Sequence, residues 1–248
     1  MNPSTVFSNA TAAQPPATPP GGPMPGWQGI FTPGNGPSVT LTRTKVCGIQ
    51  RVFLQMDDSG SMGGSKASAA NLAGADLLGH LGSAGFRDGF LISLISFDDH
   101  ATVHADHQRP SALGSPTLVS GRGGTDVSCA LREANRLRRA WTPQPSEHEV
   151  APPVYLLMSD GCTGFVDEAV QEAEAAKRDG VTIVTVGFGD DADMDLLGRL
   201  ATSPAHCKHA ADAASLREFF AQVGATLRDS LRDGTAPGAA LGLDLRSA

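Results

Sequence analysis

Residues 52–61 read Val52-Phe53-Leu54-Gln55-Met56-Asp57-Asp58-Ser59-Gly60-Ser61. The first five form a short apolar run, the signal of a buried strand. The run stops at Asp57. From there a carboxylate and two hydroxyls recur at every second position: Asp57, Ser59 and Ser61. Gly60, Gly63 and Gly64 let the loop turn tightly, so these oxygens can converge on one point. Hard oxygen donors around one point suit Mg²⁺ or another hard divalent cation.

Working outward, the chain alternates between two periodicities. Residues 65–81 carry Ala69, Leu72, Ala73 and Leu77 at helical spacing. Residues 90–97 read as a second central strand, and 101–104 as its hairpin partner. Val127, Ala130, Leu131 and Ala134 mark a helix, 154–158 a strand, and Val166, Val170 and Ala173 another helix. The β-branched run 181–186 reads as a strand. Met194, Leu197 and Leu200 predict a short helix. A long stripe follows at Leu216, Phe219, Phe220, Val223 and Leu227, with Ser215 and Glu218 as its capping box. Residues 39–46 alternate loosely and read as a first or edge strand. Strands alternating with helices predict an α/β fold, a doubly wound and mostly parallel sheet with helices on both faces. Sites in such sheets lie beyond the carboxyl ends of the strands, near a topological switch point. Function is therefore expected just after Met56, Phe97, Met158 and Val186.

Two further stretches can reach the same edge. Gly123-Gly124-Thr125-Asp126 brings a third hydroxyl, Thr125. Ser159-Asp160-Gly161 follows the strand over 154–158 and brings a second carboxylate, Asp160. Neighbouring parallel strands end on the same side, so both can meet the first loop.

Taken together, Asp57-x-Ser59-x-Ser61, Thr125 in a Gly-Gly-Thr-Asp loop and Asp160 in an Asp-Gly step resemble the metal-ion-dependent adhesion site of von Willebrand factor A-type (VWA) domains. The resemblance covers roughly residues 51–231. It implies that Ser59, Ser61 and Thr125 ligate a metal through hydroxyl oxygens, and that Asp57 and Asp160 act directly or through water. Mg²⁺ is the expected ion, with Mn²⁺ or Ca²⁺ able to replace it. Asp58 is expected to point away from the metal or to hydrogen-bond its own loop. Three neutral hydroxyls and two carboxylates leave a divalent ion electrophilic, with a position facing solvent. A protein partner's Asp or Glu can fill that position, which implies a binding module and not an enzyme. The Met56-Asp57-Asp58-Ser59-Gly60-Ser61-Met62 start, the Ser-Asp-Gly step and the closing segment 210–227 are also similar to stand-alone bacterial VWA proteins of tellurium-resistance and stress-response clusters. That similarity implies a kinase or phosphatase as partner.

Composition narrows the alternatives. The chain has 248 residues and a formal net charge of -7, which disfavours a nucleic-acid binder. Arg132, Arg136, Arg138 and Arg139 read as a solvated helix face. No apolar segment is long enough for a membrane span, and the N-terminus has no secretion signal. The four cysteines, Cys47, Cys129, Cys162 and Cys207, form no CxxC pair, as for reduced thiols in a cytoplasmic protein. Residues 1–38 are rich in Pro, Gly, Ala, Ser and Thr and carry no charge, and read as a disordered tail. The VWA domain is then expected over 39–232, with a flexible tail over 233–248.

Other chemistry fits the residues less well. A metal-dependent phosphohydrolase of haloacid-dehalogenase type also places an Asp after the first strand. It needs a second Asp two positions on, where this chain has Ser59. Gly187-Phe188-Gly189-Asp190 lacks the third glycine of a dinucleotide fingerprint. His100, His104 and His107, beside Asp98 and Asp99, read as a polar hairpin rim, Cys162 as a small loop residue, and His206, Cys207 and His209 as surface residues of a short strand.

Overall fold

The computed structural model describes residues 48–83, 89–115, 117–143, 150–160 and 163–244. The tail read over 1–38, the strand read over 39–46, Cys47 and Cys162 lie outside the described residues. Strand β1 (Gln50–Asp57) leads into α1 (Ser65–Leu81), β2 (Phe90–Phe97), β3 (Ala101–Gln108) and α2 (Val127–Ala140). Then come β4 (Val154–Ser159), α3 (Val166–Arg178), β5 (Thr182–Phe188), α4 (Met194–Leu200), β6 (Cys207–Ala210), α5 (Ala213–Asp233) and α6 (Pro237–Asp244).

The six strands form one sheet in the order β3-β2-β1-β4-β5-β6. All neighbours run parallel except the β2–β3 hairpin. This is the doubly wound α/β fold that the alternation predicts. Connections leave β1 towards β2 and leave β4 towards β5, so the switch point falls at the carboxyl ends of β1 and β4.

The strands are buried on both faces, and their side chains alternate between two cores. Val52, Leu54 and Met56 of β1, Val154, Leu156 and Met158 of β4, and Val184 and Val186 of β5 meet α1 and α5. Phe53, Tyr155, Leu157 and Ile183 meet α2, α3 and α4. Helix α1 approaches the sheet closely through small residues. A Cβ on Gly74 would lie 3.7 Å from both Leu54 and Met56.

Three sequence readings need correction. Leu72 belongs to the apolar spacing of α1 but is 48% exposed, because Ala69, Ala70, Ala73, Leu77 and Leu78 already fill the buried stripe. The N-cap of α5 is Asp212, paired reciprocally with Ser215, and not Ser215 with Glu218. The chain beyond Arg232 is not a loose tail as far as residue 244. Gly234 turns it in the left-handed conformation, α6 follows, and Leu241 is fully buried in the α1–α5 core. The stripe on α6 is too short to announce itself in a Gly/Ala-rich stretch.

Candidate metal centre

Asp57 ends β1 opposite Phe97 of β2, at the switch point, and is fully buried. Both its oxygens are engaged. Oδ1 accepts the Ser59 backbone N–H at 2.8 Å, and Oδ2 accepts the hydroxyl of Ser159 at the end of β4. Burial raises the Asp57 carboxyl above its ordinary pKa, the hydrogen bonds from Ser159 and Ser59 oppose this, and the nearby Asp160 adds to it.

From there a line of oxygens runs outward. The Ser59 and Ser61 hydroxyls lie 3.0 Å apart, and the Ser61 hydroxyl donates to Asp160 Oδ1 at 2.7 Å. Asp160 is itself fully buried. The structure brings Asp57, Ser59, Ser61 and Asp160 to one edge, within hydrogen-bond reach of each other or of shared neighbours.

Thr125 arrives on a separate loop and is half-buried there. Gly60 N–H donates to Gly123 O at 3.1 Å, Arg122 N–H donates to Asp58 O, and Asp126 N–H donates to Asp98 O at 2.7 Å. Asp99 Oδ2 accepts the Gly124 N–H at 3.1 Å. Asp126 then caps α2 by accepting from Ser128 N at 2.9 Å and Cys129 N at 3.3 Å. The loop is thus fixed against the Asp57 loop. Among the described residues, Thr125 makes no side-chain hydrogen bond to the other four.

Asp58 does not bond its own loop. Its carboxylate accepts the N–H groups of Ser120 and, at 2.7 Å, Gly121. Gly121 adopts φ +79°, and a Cβ there would run into the Gly63 backbone. Glycine is required at this contact by both conformation and space.

Sequence reasoning missed two residues. The Lys66 ammonium lies 2.5 Å from Asp160 Oδ2 and 3.0 Å from Asp191 Oδ1. Partial burial works against this ammonium, but the hydrogen bonds it donates to Asp160 and Asp191 prevail and hold its pKa above the ordinary value. The same bond holds Asp191 below the usual carboxylate range. The strand-end argument already pointed past β5, where Asp191 lies. Lys66 was signalled by its place in the first turn of α1, where the helix dipole disfavours a cation.

The histidines serve the hairpin and the core. His104 Nε2 meets Ser96 Oγ at 2.8 Å, and burial lowers its pKa. His107 stacks on Trp141 with ring centroids 5.5 Å apart. His206, read as a surface residue, is buried and bonds Ser203 Oγ at 2.8 Å and Gly238 O at 2.9 Å. Among the described residues, no group of three or more His, Cys, Asp or Glu side chains is placed to hold a metal ion. The helix-face arginines are mostly paired, Arg136 with Glu133, Arg132 with Glu172, and Arg138 and Arg139 with Asp179.

Among the described residues, the candidate ligands on the β1–β4 edge offer oxygens, and a cation already rests on one of them. Both observations fit a hard divalent ion. The profile of the von Willebrand factor type A domain family matches residues 52–222. The fold resembles the vWF domain of the type V pili tip protein Mfa5 from Porphyromonas gingivalis, with a TM-score of 0.64 at 17% identity over 75% of this chain and 97% of that one. It also resembles a von Willebrand factor type A protein from Catenulispora acidiphila, with a TM-score of 0.57 at 21% identity over 73% of this chain and 42% of that one. Proximal thread matrix protein 1 from the mussel byssus, in a form with a zinc-occupied MIDAS motif, gives a TM-score of 0.55 at 18% identity over 82% of this chain and 47% of that one. With the family profile covering most of the chain and the site lying where its strands reverse order, this chain belongs to the von Willebrand factor type A domain family.

Proposed function

We propose that the domain is a metal-dependent protein-interaction module whose ion is held by Asp57, Ser59, Ser61, Thr125 and Asp160. The observation that carries this reading is the hydroxyl–carboxylate line Ser59–Ser61–Asp160, built at the switch point and already bearing an ammonium. A divalent ion held there supplies an electrophilic coordination position that an Asp or Glu of a partner protein can fill. Ser59, Ser61 and Thr125 contribute neutral oxygens and so leave the site short of negative charge. Asp57 keeps its carboxylate behind the hydroxyls, held by Ser159 and the Ser59 N–H. That same enclosure argues against the phosphohydrolase reading, in which Asp57 would attack phosphorus with an open oxygen lone pair.

Mg²⁺ is the proposed ion, with Mn²⁺ or Ca²⁺ as substitutes; the zinc-occupied motif of the mussel relative supports a divalent ion in general. The proposed setting is the cytoplasm, in a stress-response or tellurium-resistance system, with a kinase or phosphatase as partner. Among the described residues, no helix is long and apolar enough to cross a membrane. The proposed organisation keeps 1–38 as a tail ahead of the domain.

Calorimetric titration with Mg²⁺ tests the site. About one ion per chain should bind wild type, and none should bind Ser59→Ala/Ser61→Ala. Affinity capture with wild type and Asp160→Ala, each with and without chelator, tests the interaction. Partners should be lost in the same measure by the substitution and by the chelator. Equal capture in all arms would place partner binding elsewhere on the chain.

A further inference from the structure

Lys66 stands where local energetics oppose it. It is the second residue of α1, a helix with no acidic side chain in its first turn, at the end where the dipole repels a cation. Its side chain is 27% exposed and joins the fully buried Asp160 to Asp191, whose side chain is 61% exposed. Space has been left for it: a Cβ on Gly189, which has φ +89°, would lie 3.3 Å from both Lys66 Cε and Nζ. The ammonium touches Asp160 Oδ2 at 2.5 Å and both Asp191 oxygens, at 3.0 Å and 3.3 Å.

We propose that Lys66 is an internal competitor for the metal, which occupies Asp160 in the metal-free domain and withdraws onto Asp191 when a divalent ion binds. This inference rests on the metal-site reading above. A buried carboxylate without a countercharge is costly, so Lys66 supports the metal-free fold. A divalent ion and an ammonium on one carboxylate repel each other, so the ion can bind well only once the ammonium has moved. Asp191 already holds the ammonium from the solvent side and gives it a resting place. Lys66 thus lowers metal affinity, and Asp191 restores part of it. The site then binds its ion more weakly than the same oxygens would without the ammonium.

The test is calorimetric titration of the full chain with Mg²⁺ and with Mn²⁺, for wild type, Lys66→Met, Lys66→Gln and Asp191→Asn. Thermal unfolding of each protein is followed in chelator and in excess ion. Both Lys66 variants should bind metal more tightly, on the order of tenfold. They should melt lower than wild type in chelator and gain more from added ion. Asp191→Asn should bind metal more weakly than wild type, because the ammonium then has Asp160 alone. These opposite signs separate competition from a general loosening of the loops, which would weaken all the variants together. Metal affinity in both Lys66 variants equal to or below that of wild type would overturn the proposal while leaving the metal site standing. No ion binding to wild type or to any variant would overturn the metal-site reading and this inference with it.

Discussion

The carboxylate of Asp58 accepts the Gly121 N–H at 2.7 Å and the Ser120 N–H beside it, so the residue next to the first candidate ligand anchors the segment that leads to Thr125. Asp58 is therefore a strut between the two ligand-bearing loops. Asp58→Ala should destabilise the domain by about 1–2 kcal/mol, the scale of lost hydrogen bonds to a charged acceptor, because Ser120 is exposed and Gly121 half-buried, so water can take the acceptor's place. It should also weaken Mg²⁺ binding while all five candidate ligands remain. Urea unfolding and calorimetry on the same preparation check both effects. Unchanged metal affinity would mean that the Thr125 loop holds its place without this strut.

Gly121 and Gly180 have nearly the same backbone, at φ +79° and +80°, but different surroundings. A Cβ at Gly180 meets open space, whereas one at Gly121 meets the Gly63 backbone. Gly180→Ala should cost only the left-handed conformation, about 1 kcal/mol. Gly121→Ala should cost more and, unlike Gly180→Ala, should reduce metal binding, because the loops must separate. Comparing the two by denaturant midpoint isolates the close approach. Equal losses would show that conformation alone matters.

What was legible in the sequence follows from how each residue is placed. Asp57, Ser59, Ser61 and Asp160 sit on or next to strand ends, and strand order constrains those ends strongly. Placing them on one edge needed only periodicity and parallel topology, while their roles as metal ligands are what the resemblance to VWA domains implies. The Lys66–Asp160 and Lys66–Asp191 contacts depend on the reach of one long side chain across 94 and 125 residues of sequence, which no local pattern encodes. Leu72 misled because helical spacing marks a stripe but not its edges. Helix α6 was hidden by its length, since eight residues with Leu241 buried do not make a periodicity. Asp58 was expected to stand outside the ligand set, but its partner loop depends on the close approach of Gly121 to Gly63, a tertiary contact that no local pattern marks.

Thr125 and Asp126 are neighbours with separate tasks. Thr125 is half-buried and makes no hydrogen bond to the other candidate ligands, whereas Asp126 caps α2 through Ser128 N and Cys129 N. Thr125→Ala should leave the unfolding midpoint nearly unchanged and lower metal affinity and partner binding. Asp126→Ala should destabilise by about 1 kcal/mol through the lost cap. With a purified partner at fixed Mg²⁺, Thr125→Ala and the partner's Asp→Asn or Glu→Gln form a double-mutant cycle. Their losses should not add, because Thr125→Ala weakens the hold on the ion through which the partner's carboxylate binds. Additive losses would place the partner's carboxylate away from the metal.

Tyr155 carries a pH prediction that needs no metal. It is the only tyrosine in the chain and is fully buried between Phe53 and α2. Its hydroxyl donates to Asn135 Oδ1 at 3.1 Å and accepts from Arg138 Nε at 3.2 Å. Burial pushes its pKa from the ordinary 10.0 up to about 12, against the pull of Arg138 and Arg51. Because the folded value is the higher one, the unfolded chain loses its phenolic proton first. Between these two values the folded protein binds more protons than the unfolded one, so stability falls as pH rises. The contribution is complete below about pH 10 and gone above about pH 12, and two pH units correspond to about 2–3 kcal/mol. Tyrosinate absorbance should titrate near pH 12 in the native protein and near 10 in denaturant. Tyr155→Phe loses both hydrogen bonds at every pH, so absolute stabilities do not isolate the effect. The slope does. Unfolding free energies should fall less steeply from pH 10 to 12 in Tyr155→Phe than in wild type, since contributions from lysines and cysteines are common to both. Parallel slopes, or native absorbance rising already at pH 10, would mean that the phenol is reached by water and that the α2–β4 packing around Asn135 is open.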